Sequence, residues 1–253
     1  MSRRVSTWRP NTPDAEARLD DIAADHLAVL HRTLREDPAA FGLYEAACTA
    51  GERLTTAAAD VWALSRDVDD FAARFTVAVG GDGGTVADAA VRRAAALSAG
   101  RLMKHLERYP EAGGPPGGGS LAGDLFCLLY QWFFADTVAE FLRIVVAEKV
   151  KLVVPLLPAF DPEDHIADWV AEQVLSLLPN PCEEAAELKE TVEKAEEVVS
   201  AIEDPIGALR LVARALVPRA AGWALGLLGN EESVESAETA GSEVTPYEGD
   251  PAA

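Results

Sequence analysis

Basic residues are scarce in this chain. It carries 42 acidic residues against 22 basic ones among its 253 residues, which gives a formal net charge of -20. Non-specific binding to nucleic acids requires lysine and arginine, because these side chains displace counterions from the phosphates. Electrostatic docking on anionic lipid headgroups requires the same basic residues. The charge balance therefore excludes simple electrostatic binding to either surface, and we expect no nucleic-acid partner.

Cysteine is also rare, with only Cys48, Cys127 and Cys182 in the chain. Their odd number and wide spacing do not indicate the disulfide framework of a small secreted domain, so a reducing compartment is expected. Residues 1–12 contain arginines but no apolar core after them, which argues against a signal peptide. These features together predict a cytoplasmic protein with a flexible N-terminus.

No segment shows the strong alternation of apolar and polar residues that marks a half-buried strand. Apolar residues recur instead at helical spacing, and Pro often follows Thr, Asp or Asn where a new helix is expected to begin. Glycine-rich segments interrupt these patterns but do not carry the Gly-Lys-Ser/Thr signature of a phosphate-binding loop. The sequence therefore predicts an all-α fold, a bundle of about six to eight helices.

The strongest candidate for a domain boundary is residues 110–120, PEAGGPPGGGS, whose composition does not sustain helix or strand. This linker divides an N-terminal helical lobe, residues 13–109, from a C-terminal helical lobe, residues 121–229. The remaining residues, 230–253, are acidic, lack lysine and arginine, and are predicted to be a disordered tail.

Long hydrophobic runs are missing, although residues 121–160 are rich in apolar side chains. Only Gln131 is polar between Leu125 and Ala135, which predicts a helix that is apolar on all sides and lies in the core. The uninterrupted run is shorter than the roughly 20 residues that a bilayer requires. Membrane association through residues 121–160 and 205–228 is therefore the less favoured alternative.

The clearest resemblance to a known motif is short. Asp20, Asp21 and Asp25 form the pattern DDxxxD, which resembles the magnesium-diphosphate motif of the all-helical class I terpene synthases. The resemblance implies Mg²⁺ bound by carboxylates that lie a helical turn apart. The second magnesium motif of that family is missing from the chain. We therefore interpret these aspartates as a solvated helix face.

Two further groups have metal-binding or nucleophilic chemistry. His165, Asp168 and Glu172 share one predicted helix face and are of metal-ligand type, but no second histidine-rich helix completes the site. Cys182 follows a predicted helix start, where the dipole favours a thiolate, yet Glu183 and Glu184 oppose that effect. We predict no catalytic residue, no metal site and no cofactor.

The best candidate for a polar pocket is the stripe formed by Asp136, Glu140 and Arg143, which follows the most apolar run. Buried carboxylates require partners, and Arg143 is the expected partner because it lies on the same helix face. The interpretation favoured here is a salt-bridge stripe at the edge of the core. A ligand pocket within the bundle is the alternative.

The C-terminal region contains a candidate interaction surface. Arg210, Arg214 and Arg219 are the only charges of the last predicted helix, which begins at Pro205. The preceding helix is acidic and carries a short heptad pattern at Leu188, Val192, Ala195, Val199 and Ile202. We expect an antiparallel hairpin in which Arg210 and Arg214 face the acidic helix. In the alternative interpretation these arginines bind a membrane or a protein partner.

These patterns favour a non-enzymatic, cytoplasmic helical protein that acts through contact with a protein partner, as a scaffold or a regulator. A membrane-associated protein and an enzyme or ligand-binding bundle with a pocket near Asp136 are the two alternatives. The sequence identifies neither the partner nor the oligomeric state.

Overall fold

The computed structural model describes residues 15–81, 83–114, 116–117, 120–151, 162–194 and 205–228. These residues form eight α-helices and two short 3-10 turns, and no strand occurs among them. The helices are α1 (Ala15–Glu36), α2 (Leu43–Leu64), α3 (Val68–Gly80), α4 (Val86–Arg108), α5 (Gly123–Lys151), α6 (Pro162–Leu175), α7 (Pro181–Lys194) and α8 (Pro205–Ala224). The predicted all-α bundle is confirmed. The predicted flexible N-terminus and acidic tail, residues 1–12 and 230–253, lie outside the described residues.

Local side-chain chemistry explains where several helices begin. Thr85 and Asp88, three residues apart, form a capping box at the start of α4, in which each side chain binds a backbone N–H of the other residue. The carboxylate of Asp67 accepts the backbone N–H of Asp70 at 2.9 Å and caps α3. The amide oxygen of Asn180 accepts the N–H of Cys182 at 3.0 Å and so fixes the first turn of α7.

Two expectations about helix continuity were wrong. A helix was expected to begin at Pro38, but α2 begins only at Leu43 because Phe41 and Gly42 both adopt positive φ angles, 63° and 64°. A proline inside a helix ordinarily weakens it, yet α8 continues through Pro218 to Ala224. The buried neighbours of Pro218 anchor the helix on the core, which offsets the backbone hydrogen bond that proline lacks.

Helix α5 lies at the centre of the bundle and contacts α2, α4, α6, α7 and α8. Its aromatic side chains point to several sides, and Tyr130, Phe133 and Phe134 are fully buried. Residues Gly123–Val146 are long and apolar enough to cross a membrane, but 83% of the apolar window is buried inside the protein. The central core helix that the sequence predicts is therefore present in the structure.

Helices on both sides of residues 110–120 share one continuous cluster of buried apolar side chains. Helix α8 packs on α2, and a Cβ atom at Gly51 would lie 2.6 Å from the ring of Phe134 and 3.0 Å from Val217. Glycine at this position thus permits α2, α5 and α8 to approach one another closely. The division into two lobes remains a prediction from composition.

The described part of the glycine-rich segment lies against the body of the protein. The N–H of Gly117 donates to the carbonyl of Trp62 at 2.9 Å, just before α2 ends. Gly117 has a φ of 76°, and a Cβ atom there would lie 2.3 Å from the carbonyl oxygen of Ser65. The backbone therefore requires glycine at this position both for its conformation and for its close approach. Leu121, directly after this segment, is buried in the core.

Candidate functional site

The principal charged cluster is formed where α4, α5 and α6 meet. Asp136 and Glu140 lie one turn apart on α5, and they are only 1% and 3% exposed. The apolar run before them places this face of α5 in the core, so both carboxylates are removed from water. A buried carboxylate is strongly destabilising unless a cation or a hydrogen-bond donor lies beside it.

Helix α4 supplies those cations. Nη2 of Arg101 lies 3.0 Å from Oδ1 of Asp136, and Arg93 donates through Nε to Oε2 of Glu140. The order of the arginines is opposite to that of the carboxylates, since α4 and α5 run antiparallel along this contact. The sequence alone does not indicate Arg93 or Arg101 as a partner, because the pairing depends on how two separate helices pack.

The expectation that Arg143 is the partner of the buried carboxylates was wrong for Asp136 and is only weakly met for Glu140. Nη1 of Arg143 lies 3.9 Å from Oε2 of Glu140, whereas Nη2 lies 2.6 Å from Oδ1 of Asp164 on α6. The physical reason is reach, because Arg143 extends from α5 towards the first turn of α6. Two arginines of α4 already neutralise the carboxylates.

The pKa of Asp136 is raised to about 7. Burial is the largest cause, Arg101 lowers this pKa, and the nearby carboxylates of Glu140 and Asp168 raise it. The second carboxylate oxygen, Oδ2, is buried and has no hydrogen-bond partner among the described residues. A protonated carboxyl group at this position avoids the desolvation of a full negative charge. This site can therefore exchange a proton close to neutral pH.

The remaining charges extend this cluster into an ion-pair network. Arg101 also lies 3.9 Å from Asp168, whose side chain is mostly exposed. Carboxylates and guanidinium groups thus alternate from α4 across α5 to α6. The geometry is that of an ion-pair network that ties three helices together.

The two metal-ligand candidates meet in the structure. Nε2 of His165 on α6 lies 2.8 Å from Oδ1 of Asp20 on α1, so the histidine and the DDxxxD aspartate form one inter-helix contact. Asp168, in contrast, is directed towards Arg101. No group of three potential ligands of the His, Cys, Asp or Glu type occurs among the described residues. The contact links α1 to α6.

The three arginines of α8 have three different environments. Arg210 donates through Nε to the carbonyl of Thr55 at 2.9 Å and through Nη2 to the carbonyl of Thr56, so it faces α2. The second half of the predicted acidic helix, residues 195–203, lies outside the described residues, and the expected contact with it stays a prediction. Arg214 is exposed. Arg219 reaches the acidic helix, with Nη1 3.0 Å from Oε1 of Glu184.

The predicted heptad seam of α7 is described only in part. Leu188, its first member, is 52% exposed and does not form a buried seam. Residues 195, 199 and 202 of the pattern lie outside the described residues. The described half of α7 contacts α8, and Glu184 in its first turn is paired with Arg219.

A disulfide, contrary to the expectation from the cysteine spacing, joins Cys127 of α5 to Cys182 of α7. Their Cα atoms are 6.0 Å apart, within the range for such a bond, although 55 positions separate the two residues along the chain. The odd number of cysteines is explained by Cys48, which is free and partly buried. Burial raises the pKa of the Cys48 thiol. The spacing argument against a disulfide was wrong, and cytoplasmic localisation remains a prediction without that support.

A groove of about 210 Å³ lies where the end of α6 meets α7 and α8. Its lining consists of Leu177, Leu178, Pro179, Asn180, Glu183, Glu184, Glu187, Arg219 and Trp223. Trp223 and Leu177 supply apolar surface, and Leu177 is 41% exposed. The rim carries three glutamates and one arginine, so its charge is net negative. Such a groove combines an apolar contact area with acceptors for positively charged groups.

A second cleft, of about 240 Å³, lies between α2, the end of α3 and the start of α4. Glu45, Arg53 and Asp88 supply its charged side chains. The carboxylate of Asp88 already accepts the N–H groups of Gly84 and Thr85 at the start of α4. The helix terminus is therefore occupied by the protein's own carboxylate and does not offer its N–H groups to an anion.

No family model, no curated protein and no solved structure matches this chain.

Proposed function

We propose that this chain is a non-enzymatic interaction protein, a scaffold or regulator, that binds a basic and partly apolar segment of a protein partner in the α6–α7–α8 groove. The observation that supports this proposal most directly is the pairing of a partly exposed Trp223 with an acidic rim in one groove. Tryptophan is enriched among the residues that dominate binding energy at protein interfaces.

The charge of the groove defines the chemistry of the partner. Glu183 and Glu187 are exposed, and Arg219 is directed to Glu184. Lysine or arginine side chains of a partner would be attracted to this rim, while its apolar side chains would cover Leu177 and Trp223. A nucleic acid would be repelled by the same rim and by the net charge of the chain.

The two alternative functions, membrane association and ligand binding, depend on side chains that already contact other parts of the protein. The apolar surface that would place α5 in a bilayer is largely buried against other helices. The charged stripe that would line a ligand pocket is occupied by Arg93 and Arg101. An interaction surface at the edge of the bundle requires neither of them.

The proposal is tested with a short synthetic peptide in which lysine and leucine follow helical periodicity, measured by calorimetric titration. We expect Trp223→Ala to weaken binding about tenfold, since loss of a central aromatic contact costs roughly 1–2 kcal/mol or more. The matched control is Leu211→Ala, which removes a 71% exposed apolar side chain from the outer face of α8. This control should leave the affinity unchanged.

The electrostatic part is tested with Glu183→Gln combined with Glu187→Gln. We expect an affinity loss of about threefold that shrinks at high salt, because exposed charge pairs contribute little and are screened. Asp69→Asn, on the exposed start of α3, controls for the overall charge. Equal effects of the groove variants and their controls would contradict the proposal, as would binding to anionic liposomes in a flotation assay without binding to the peptide.

A further inference from the structure

We infer that the Cys127–Cys182 disulfide is a reversible latch, which holds the first turn of α7 on α5 and is opened by exchange with a thiol reductant. Cys182 is the second residue of α7, and Glu183, Glu184 and Glu187 of the same helix form the acidic rim of the groove. The latch itself stands on the geometry of α7. Its effect on partner binding rests on the proposed function.

The disulfide is the strongest described link between α7 and the core. Pro181 is buried and Ala185 partly buried, but every side chain from Ala186 to Lys189 is exposed. The ion pair of Glu184 with Arg219 joins two partly exposed side chains and adds little. Helix α7 contacts α5 much less extensively than α4 or α6 does. Cleavage of the disulfide thus removes the covalent constraint that holds this helix on α5 and leaves its non-covalent contacts with α5 and α8.

The two cysteines differ in their exposure to solvent, and this difference determines which sulfur atom a reductant attacks. Cys127 is 3% exposed, whereas Cys182 is partly exposed at the surface. A reductant thiolate therefore attacks Sγ of Cys182 and forms a mixed disulfide there, while the bond to Cys127 breaks and Cys127 leaves and takes up a proton. The second thiol of a dithiol then displaces Cys182. Two electrons and two protons enter the protein, and the reductant becomes a disulfide.

Cys48 provides an internal reference for this chemistry. It is not part of the disulfide, and burial raises the pKa of its thiol, which keeps it protonated and unreactive. Titration of thiols in denaturant should count one thiol in the air-oxidised protein and three after dithiothreitol treatment, as the pairing requires. Three thiols in the air-oxidised protein would overturn the inference.

Release of α7 is measured by limited trypsin cleavage of the full chain, with the fragment that ends at Lys189 identified by mass spectrometry. We expect dithiothreitol to accelerate this cleavage about tenfold, because a helix that opens more often is cut in proportion to its open population. Cys127→Ser and, separately, Cys182→Ser should show the fast rate without reductant and no response to it. Cys48→Ser should behave as the unmodified protein does. Equal cleavage rates in the oxidised and reduced unmodified protein would overturn the latch.

Peptide titration in both redox states separates the latch from the proposed function. Faster cleavage at Lys189 together with loss of binding to the lysine–leucine peptide supports both. Faster cleavage with peptide binding that is insensitive to Trp223→Ala retains the latch and rejects the groove. Groove-dependent binding with three thiols in the air-oxidised protein rejects the latch and retains the groove.

Discussion

Two ion pairs with the same distance between nitrogen and oxygen lie in very different regions of this molecule. Arg101 and Asp136 are 3.0 Å apart at the α4–α5 contact, and Arg219 and Glu184 are also 3.0 Å apart at the α7–α8 contact. The carboxylate side chain is 2% exposed in the first pair and 31% exposed in the second. Distance alone therefore does not rank them. The two pairs differ in the environment of the carboxylate that remains when its arginine is removed.

A buried carboxylate that loses its cation stays in a low-dielectric setting, and its charge is then uncompensated. A partly exposed carboxylate recovers its hydration instead, so the net contribution of its ion pair is small. The central network is thus sensitive to single substitutions, whereas the α7–α8 edge tolerates them. The following predictions test this contrast.

The largest effect is expected for Arg101→Met, which preserves the apolar stem and removes the charge beside Asp136. At about pH 9, where the carboxylate of Asp136 is ionised despite its raised pKa, we expect the free energy of unfolding to fall by about 3 kcal/mol, the lower end of the range for breaking a buried pair. Urea denaturation measures the change. The control is Lys104→Met, because Lys104 is exposed and lies one turn after Arg101 on α4. This substitution should change stability by less than about 0.5 kcal/mol. Similar values for both variants would contradict the contrast.

The next effect depends on pH and concerns Asp136 itself. Its pKa is raised from 3.8 to about 7 in the folded protein, so the folded state holds a proton that the unfolded state has already lost between these values. The carboxyl group therefore destabilises the fold increasingly as pH rises from about 4 to about 7. Asp136→Asn, which stays neutral, should become more stable than the unmodified protein across this window.

We expect this advantage to reach about 2 kcal/mol at about pH 8 and to be small at about pH 4, since relaxation around a buried charge reduces the full electrostatic effect. Denaturation in urea at the two pH values gives the comparison. A difference that does not change with pH would show that Asp136 is not protonated near neutrality.

A smaller effect is expected for Arg143→Ala. The ion pair of Arg143 with Asp164 joins it to a side chain that is 56% exposed. Glu140 keeps its ion pair with Arg93 when Arg143 is removed. We therefore expect a loss of about 1 kcal/mol or less in thermal or urea denaturation. A loss as large as that of Arg101→Met would mean that Arg143 neutralises the buried carboxylates after all.

The smallest effect is expected for Arg219→Ala at the α7–α8 edge. The loss of its pair with Glu184 should lower stability by less than about 0.5 kcal/mol, and this difference should vanish in about 1 M salt. A loss that is large and independent of salt would remove the contrast between the two regions.

The parts of the fold that could be predicted are those that depend on neighbours along the chain. The Thr85–Asp88 capping box and the apolar helix at the centre of the core follow from spacing within a few turns, and both are present. The choice of Arg93 and Arg101 as partners, and the bond between Cys127 and Cys182, depend on which helix faces meet. That information is spread over distant residues and is not contained in the periodicity of any one helix.

The contact of Gly51 with Phe134 and Val217 has a consequence for synthesis on the ribosome. Helix α2 leaves the exit tunnel early, but the two surfaces that cover its glycine face belong to α5 and to the last described helix. Until α8 has emerged, the nascent chain exposes an apolar face that its own earlier helices do not cover. This face of α2 must therefore remain soluble and incompletely packed until α8 has been synthesised, and only then can this part of the core close.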